Sequence, residues 1–285
     1  MSQNFNVQDH ISYRNNRYLK ANIGNPLLLG LGVVEVNPTE LCNRTCSFCP
    51  RSNPAVYPNQ NLQMTLDTAN NLVKGLQAAN YTGDIHITGF GEPTLNPQIL
   101  ELIKIFSVYY TEIITNGDRL LSGQLTHTQL SNAGLSMLIV DCYDGNEQYN
   151  KVQDLLQDCN ISYRIRNHHD TGSPDLIEQY NYNNRGGLVS KEETVFRPCW
   201  LPFYKAFIDW DGQVRLCCND WSRKQQPFGN INNTAFSELW NSEQFVEVRK
   251  KLDKGNRSSL AACKGCNTSG TQNGFESVSL WQKLL

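Results

Sequence analysis

The octapeptide Cys42-Asn43-Arg44-Thr45-Cys46-Ser47-Phe48-Cys49 contains three cysteines in a CxxxCxxC spacing. Iron-sulfur clusters are usually held by four thiolates, so a set of three leaves one iron free to bind another ligand. A catalytic zinc keeps an open coordination position in a similar way. The spacing therefore predicts a reactive metal cluster on this segment. A partial zinc site and a chance grouping of cysteines are the alternatives.

A second motif lies further along the chain. The apolar run 27–36 ends in Asn37-Pro38-Thr39, which places the cysteines on a loop after a predicted strand. Another apolar segment ends in Thr88-Gly89-Phe90-Gly91-Glu92-Pro93. Glycine lets a backbone approach a ligand closely, and Glu92 offers an acceptor to an ammonium group. We interpret this segment as a ligand-binding loop, with an ordinary turn as the alternative.

Strand-like and helix-like runs alternate through about residue 170. The strand-like runs are 33–36, 85–88, 112–115, 135–140 and 161–166, and the helix-like runs are 66–78, 99–106, 125–133 and 149–157. This alternation predicts an α/β fold built of parallel β/α units. Both motifs then lie at the carboxyl ends of predicted strands.

Taken together, the two motifs resemble those of the radical S-adenosylmethionine (SAM) enzymes. The resemblance implies a 4Fe-4S cluster on Cys42, Cys46 and Cys49, with SAM on the open iron and Phe48 in an aromatic position of the loop. It implies a partial TIM-type barrel of about six β/α units, with the chemistry at the carboxyl ends of the strands. The further residues expected to contact SAM are Gly91, Glu92 and Pro93, a GGEP-like motif with Phe90 in place of its first glycine, and Asn116 and Asp141.

A second set of cysteines lies in the C-terminal part: Cys199, Cys217, Cys263 and Cys266. Four thiolates can close a cluster, and this arrangement resembles the auxiliary-cluster domain called SPASM or twitch that follows the barrel in many radical SAM enzymes. Segment 206–216 predicts a hairpin around an Asp-Gly turn, and 237–252 predicts a helix. A structural zinc site is the alternative. We divide the chain into an N-terminal extension (1–30), the partial barrel (31–185) and the auxiliary-cluster domain (186–285), with a polar linker at 181–184.

Three polar residues are candidates for contact with the substrate or SAM. In the last predicted strand, alternation places Arg166 and His168 on one face and Ile165 on the other. The outer face of a barrel packs against helices, so the face with Arg166 and His168 is expected to line the interior. Arg185, in the run Asn184-Arg185-Gly186-Gly187, has similar standing. A structural ion pair is the alternative for each of these residues.

Three cysteines stand outside both sets. Alternation places Cys142 on the opposite side of its strand from Asp141, which favours a buried structural thiol. Cys218 directly follows a predicted ligand, and Cys159 is expected to be inert. A hydrogen-donor role for Cys142 or Cys218 would belong to an epimerase.

The composition is that of an ordinary globular protein. The chain has 285 residues, a net charge of −2 and 18% charged residues, so there is no basic field for nucleic acid. No run approaches the ~20 apolar residues of a membrane span, and the polar N-terminus does not resemble a signal peptide. We therefore expect a reducing cytoplasm, where ten cysteines indicate metal or redox chemistry.

The resemblance implies a two-cluster enzyme that abstracts a hydrogen atom from a sugar, an aminocyclitol or a related polyol. Stretches such as Asn184-Arg185-Gly186-Gly187 and Cys263-Lys264-Gly265-Cys266-Asn267 resemble a family member that oxidises an aminocyclitol alcohol to a ketone. The auxiliary cluster would accept or relay the second electron, and a flavodoxin or ferredoxin-type protein would supply reductant. Epimerisation and modification of a ribosomally made peptide are the alternatives within the family. A non-enzymatic zinc-binding protein is the alternative outside it.

Overall fold

One seven-stranded sheet organises the molecule. The computed structural model describes residues 12–14, 16–17, 21–168, 182–189, 193 and 195–285. The strands are β1 Val33–Val36, β2 Asp84–Ile87, β3 Tyr110–Thr115, β4 Met137–Cys142, β5 Ser162–Asn167, β6 Lys205–Ile208 and β7 Val214–Arg215. Their order is β5-β4-β3-β2-β1-β6-β7, and all neighbouring strands are parallel except β6 and β7. The strands predicted from 33 to 166 are confirmed, with bounds that differ by up to two residues.

Helices alternate with these strands as predicted. They are α1 Leu66–Ala78, α2 Ile99–Phe106, α3 Asp118–Leu121, α4 His127–Asn132, α5 Asn146–Leu155, α6 Leu201–Tyr204, α7 Phe236–Trp240, α8 Glu243–Asp253 and α9 Phe275–Trp281. The hydroxyl of Thr65 accepts a hydrogen bond from the Thr68 amide at the start of α1, and Leu72 and Leu76 bury the apolar face of this helix. Every residue of β1, β2 and β4 is buried, as expected for parallel strands that are covered on both faces. The fold is therefore a partial α/β barrel.

The sixth parallel strand comes from the C-terminal part of the chain. β6 pairs in parallel with β1, so that Val34 lies opposite Ala206. β7 then returns antiparallel to β6 through a turn at Gly212, where φ is +85°, which confirms the predicted hairpin. The segment that carries the second cysteine set is thereby joined to the barrel sheet.

The predicted helix 237–252 is two helices, and the single-helix prediction is wrong. α7 ends at Trp240 and α8 begins at Glu243. The hydroxyl of Ser242 accepts a hydrogen bond from the Phe245 amide at 3.3 Å, which caps a new helix start. The apolar spacing continues across the break because both helices bury the same side, so periodicity alone conceals it.

Described residues of the N-terminal extension contact the amino ends of the strands. Arg17 forms two hydrogen bonds of 2.7 Å with the carboxylate of Asp84, and Arg14 pairs with Glu112 at 2.5 Å. These contacts lie at the end of the barrel opposite the two motifs. Within the described part of the chain, no helix combines the length and apolar character needed to cross a bilayer.

Candidate active site

A cavity of about 390 Å³ lies at the carboxyl ends of the parallel strands. It is lined by all twelve residues predicted to bind the first cluster, SAM or the substrate: Cys42, Cys46, Phe48, Cys49, Gly91, Glu92, Pro93, Asn116, Asp141, Arg166, His168 and Arg185. Strand ends that are far apart in sequence meet at this edge of the sheet, and so do their side chains. The four cysteines of the second set do not line this cavity.

The first cysteine loop is tied to the loops that follow β3 and β4. Arg44 lies between two carboxylates, 2.6 Å from Asp118 and 2.7 Å from Asp144. Asn43 donates a further hydrogen bond of 2.6 Å to Asp118. Arg44 therefore fixes the loop over the cavity. Sequence reasoning missed this residue, although its place between two predicted ligands was a signal.

The three cysteines of the first loop are half-buried, and the pKa values of two of them are raised. Burial raises the pKa of Cys42 to about 11. Burial also raises the pKa of Cys49, although Arg185 and Arg51 oppose that shift. Metal binding would therefore release protons from these thiols.

The glycine-rich motif is packed against the back of the cysteine loop. A Cβ on Gly91 would lie 2.3 Å from the Thr39 carbonyl oxygen and 2.5 Å from that of Leu41, so only glycine fits. The Glu92 amide donates to the Leu41 carbonyl at 2.7 Å. The two motifs thus form one rigid wall of the cavity.

The carboxylate of Glu92 accepts four hydrogen bonds from the protein. Its Oε1 atom accepts from the Thr94 amide and hydroxyl and from the Thr115 hydroxyl, and Oε2 accepts from the Asn116 amide at 2.8 Å. Burial raises the pKa of Glu92, and these donors oppose that shift. Glu92 therefore holds the ends of β2 and β3 together. Its predicted contact with the SAM amino group remains a prediction.

Asp141 is the centre of a second polar group. Arg166 Nη2 donates to Asp141 Oδ2 at 2.7 Å, Tyr143 donates to the same oxygen at 3.2 Å, and His168 Nε2 lies 3.5 Å from Oδ1. Burial alone would raise the pKa of Asp141, but Arg166 and His168 outweigh it and hold the pKa well below its usual range. Arg166 and His168 therefore lie on the same, interior-facing side of the strand, as predicted. The ribose contact predicted for Asp141 and Asn116 remains a prediction.

Tyr182 closes one side of the cavity. Its ring stacks on Phe48 with centroids 4.6 Å apart, and its hydroxyl lies 2.6 Å from His168 Nδ1. Asn184 is also packed into the protein. Its side-chain amide donates a hydrogen bond of 2.7 Å to the Gly265 carbonyl oxygen, and this side chain is fully buried. The polar-linker prediction is therefore wrong at these two positions, and residue 181 lies outside the described residues. An aromatic ring in an otherwise polar run was the available signal.

Arg185 lines the cavity and forms no ion pair with another described residue. Its backbone has φ +49°, which is unusual for a residue other than glycine. Its buried Nε atom has no hydrogen-bond partner among the described residues. Positive φ and an unpaired buried donor are features often found where a protein binds a ligand.

The second cysteine set converges beside β6 and β7. Burial raises the pKa of Cys217 well above its ordinary value, and the neighbouring thiols Cys218, Cys263, Cys266 and Cys199 raise it further. Cys199, Cys263 and Cys266 are also buried. Among the described residues, no three His, Cys, Asp or Glu side chains are grouped tightly enough to hold a single metal ion. Four buried thiols that influence one another are the donor set that an iron-sulfur cluster requires.

The remaining cysteines and one histidine take different positions. Cys142 is fully buried in the core, as predicted, whereas Cys218 lines the cavity. Cys159 is half-buried, with its Sγ 3.6 Å from the Ile161 carbonyl oxygen. His86 is buried in β2 with Nδ1 3.8 Å from Glu112, away from the cavity.

Family comparisons agree with both motifs. The chain matches the radical SAM superfamily over residues 36–167 and the SPASM iron-sulfur cluster-binding domain over residues 199–267. The chain thus contains a radical SAM domain followed by a C-terminal SPASM domain. The S-adenosyl-L-methionine-dependent 2-deoxy-scyllo-inosamine dehydrogenase of Niallia circulans is 27% identical over 258 residues, which are 84% of this chain and 94% of that protein.

Solved structures share the fold. BtrN in complex with AdoMet and 2-DOIA has a TM-score of 0.70 at 23% identity, covering 86% of this chain and 97% of that one. The anSMEcpe protein with AdoMet and the Cp18Cys peptide has a TM-score of 0.51 at 14% identity, covering 88% and 95%. The two domains imply SAM and 4Fe-4S clusters as cofactors. The three thiols at the cavity and the four buried thiols beside β6 and β7 fit that requirement.

Proposed function

We propose that this protein oxidises a secondary alcohol of an aminocyclitol or a related polyol to a ketone. The observation that carries the proposal is the 27% identity to an aminocyclitol dehydrogenase along nearly the whole length of both chains. The cavity adds support, because Arg166, His168 and Arg185 offer donors to a ligand rich in hydroxyl groups.

The residues have distinct proposed roles. Cys42, Cys46 and Cys49 hold the first cluster, and Cys199, Cys217, Cys263 and Cys266 hold the second. When bound, SAM and the first cluster supply the radical that removes a hydrogen atom from carbon, and the second cluster supplies an acceptor for the remaining electron. Gly91, Glu92 and Pro93, with Asn116, position SAM.

The oxidation must also remove the hydroxyl proton. We assign this proton to His168 Nδ1 through the Tyr182 hydroxyl, which lies 2.6 Å from it and takes the substrate proton as it passes its own proton to the ring. Asp141 holds the other side of the ring. Arg166, held by Asp141, and Arg185 orient the substrate oxygen. Loss of one hydrogen atom, one electron and one proton converts the alcohol to the ketone. A flavodoxin or ferredoxin-type reductant and a cytoplasmic location complete the proposal, since SAM cleavage needs an electron at low potential.

Epimerisation is the second candidate, and Cys218 favours it. This thiol lines the same cavity. Burial raises the pKa of Cys218 to about 12, so the sulfur keeps its hydrogen at neutral pH. A thiol in this position could return a hydrogen atom to a substrate radical.

One experiment separates the two reactions. The reduced enzyme is incubated without oxygen in deuterated water with SAM and a panel of aminocyclitols and sugars, and 5'-deoxyadenosine and product mass are measured. A product that lacks two hydrogens and has no deuterium on carbon is the expected result. One carbon-bound deuterium in a product of otherwise unchanged composition would indicate epimerisation instead.

Cysteine variants sharpen the test. Cys218→Ala should leave alcohol oxidation within about threefold of the wild type, since no hydrogen donor is needed. Loss of product in Cys218→Ala but not in Cys159→Ala, whose thiol does not line the cavity, would favour the epimerase. Product formation that persists in Cys42→Ala would contradict radical chemistry altogether.

A further inference from the structure

A buried arginine beside the second cysteine set forms no ion pair with an acidic side chain of the described residues. Arg257 is 1% exposed. None of the ion pairs formed between described residues includes it. A buried charge is costly unless an opposite charge or a full set of hydrogen bonds compensates it.

The hydrogen bonds of Arg257 all go to backbone carbonyl groups on the two segments that carry predicted cluster ligands. On the segment before Cys199, Nε donates to Arg197 at 2.9 Å and Nη2 donates to Pro198 at 2.7 Å. On the segment that begins at Cys266, Nη1 donates to Cys266 at 3.5 Å and Thr268 at 2.6 Å, and Nη2 donates to Ser269 at 2.9 Å. These five bonds use all five donors of a guanidinium. Carbonyl dipoles satisfy the donors but leave the net positive charge in place.

The charge lies close to the thiols. A Cβ built on Gly270 would be 2.5 Å from Cys199 Sγ and 3.1 Å from Arg257 Nη2, so one methyl-sized space separates these two groups. Arg257 also opposes the burial that raises the pKa values of Cys199 and Cys263. The thiolates that form when a cluster binds are therefore close enough to balance this cation.

We propose that Arg257 is a positioning residue that sets the reduction potential of the auxiliary cluster as its buried counter-charge. A cluster becomes more negative when it accepts an electron, and net charge and hydrogen bonding control cluster potentials. A buried cation beside the ligands stabilises the reduced state more than the oxidised state, and water does not screen it. The auxiliary cluster is thereby made a better electron acceptor. The use of the auxiliary cluster as the electron acceptor rests on the proposed oxidation. The effect of Arg257 on the reduction potential does not.

The test is a redox titration of the anaerobic holoenzyme followed by electron paramagnetic resonance. Adding SAM changes the signal of the cluster that binds it, which identifies the other signal as that of the auxiliary cluster. Arg257→Gln should keep the iron of both clusters but lower the auxiliary midpoint potential. At the wild-type midpoint, the ratio of reduced to oxidised cluster should fall at least tenfold, which equals 59 mV for a one-electron couple. The potential of the first cluster should not change.

Arg197→Gln is the matched control. Arg197 belongs to the same segment but is exposed, so water and salt screen its charge and the ratio should change less than threefold. If Arg257→Gln retains both clusters and shifts the potential no more than Arg197→Gln, the proposal is wrong. Arg257 then only joins the two segments by hydrogen bonds.

A second variant covers failure of Arg257→Gln to retain the auxiliary cluster. Arg257→Lys keeps the charge and loses most of the carbonyl contacts. If Arg257→Lys holds the cluster at the wild-type potential where the glutamine variant does not, the charge is what the site needs. If both variants lose the cluster, the site requires the hydrogen bonds from Arg257 to the backbone carbonyl groups, and the proposal is overturned. No substrate is used in these measurements, so a wrong substrate assignment cannot produce any of these results.

Discussion

Asp141 lies at the end of β4, and its carboxylate is used by side chains of the protein itself. Arg166, Tyr143 and His168 surround it. A carboxylate engaged in this way has little capacity left for a ribose hydroxyl. The same contacts hold Arg166 and His168 at the cavity wall, which gives Asp141 a function whether or not it contacts SAM.

Replacing Asp141 with asparagine should destabilise the folded protein and disorder this wall. Loss of the charge-assisted hydrogen bonds should lower the free energy of unfolding by about 2 kcal/mol. The pKa of Asp141 is below its unfolded value of about 3.9. Its contribution to stability is therefore complete above about pH 4 and is lost only as the pH falls through the lowered folded value. Anaerobic urea denaturation of the two proteins at a single pH of about 8 measures this difference.

The control for this prediction is Asp154→Asn, on the exposed surface of α5, which should not change stability. A different result would assign another main role to Asp141. If Asp141→Asn is as stable as the wild type but binds SAM more than tenfold more weakly, ribose binding is the main role of the carboxylate.

The cysteines proposed to bind the clusters could be selected from the sequence, whereas many of the side chains that support them could not. Cysteine spacing is local, and thiolates have few other uses in a reducing compartment. The contacts of Arg44 with Asp118 and Asp144 depend on how the ends of β3 and β4 meet, which a single sequence does not encode locally. The bonds that Thr115 and Asn116 donate to Glu92 arise in the same way.

At the scale of elements, the break between α7 and α8 is set by one polar side chain. Ser242 caps α8, and Asn241 donates to the carbonyl oxygens of Leu27 and Ser237. Buried Trp240 and Phe245 lie on either side of the break. Local hydrogen bonding therefore overrides the continuous apolar spacing.

This interpretation predicts the sign of a substitution. Ser242→Ala should lower the free energy of unfolding by about 1 kcal/mol, because the first amides of α8 lose their cap. In an uninterrupted helix the same change would be neutral or stabilising, because alanine is the better helix former. Chemical denaturation of the holoenzyme measures the difference. Ser279→Ala within α9 is the matched control and should be neutral or slightly stabilising, so a similar gain in Ser242→Ala would contradict the capped break.

The same distinction applies to the strands. β1 through β5 were predictable because apolar runs alternate with helical periodicity. The parallel pairing of β6 with β1 was not, because it joins residues far apart in sequence: Glu35 lies opposite Phe207. Hydrophobic pattern indicates that a strand exists but leaves open which edge of a sheet it joins.

At the scale of the whole molecule, a buried charge network connects the two cysteine regions. Glu40 precedes the first cysteine loop, and its carboxylate accepts hydrogen bonds from Tyr57 at 2.7 Å and Arg51 at 3.2 Å. Arg223 follows Cys218 in the chain, pairs with Glu40, and donates to Asp209 at 2.8 Å and Tyr57 at 2.7 Å. Arg215 also lies 3.4 Å from Asp209, so three guanidinium groups surround the two carboxylates. The network fixes the relative positions of both loops.

Removing Arg223 should therefore loosen both regions at once. Arg223→Met leaves the carboxylates of Glu40 and Asp209 partly unpaired, which should lower the free energy of unfolding by about 3 kcal/mol. We also expect iron to be lost from both cysteine sets at comparable rates, because the network contacts both loops. Anaerobic urea denaturation and the time course of iron release to a chelator measure these effects.

Two further variants make the prediction specific. Lys151→Met removes an exposed partner of Glu147 on α5 and should leave both measurements unchanged. Glu40→Gln combined with Arg223→Met should not recover the stability lost in Arg223→Met, because buried Arg51 would then lose its carboxylate partner. If Arg223→Met instead releases iron from the second set alone, Arg223 supports only its own loop. The coupling between the two cysteine regions would then have to lie in the pairing of β1 with β6.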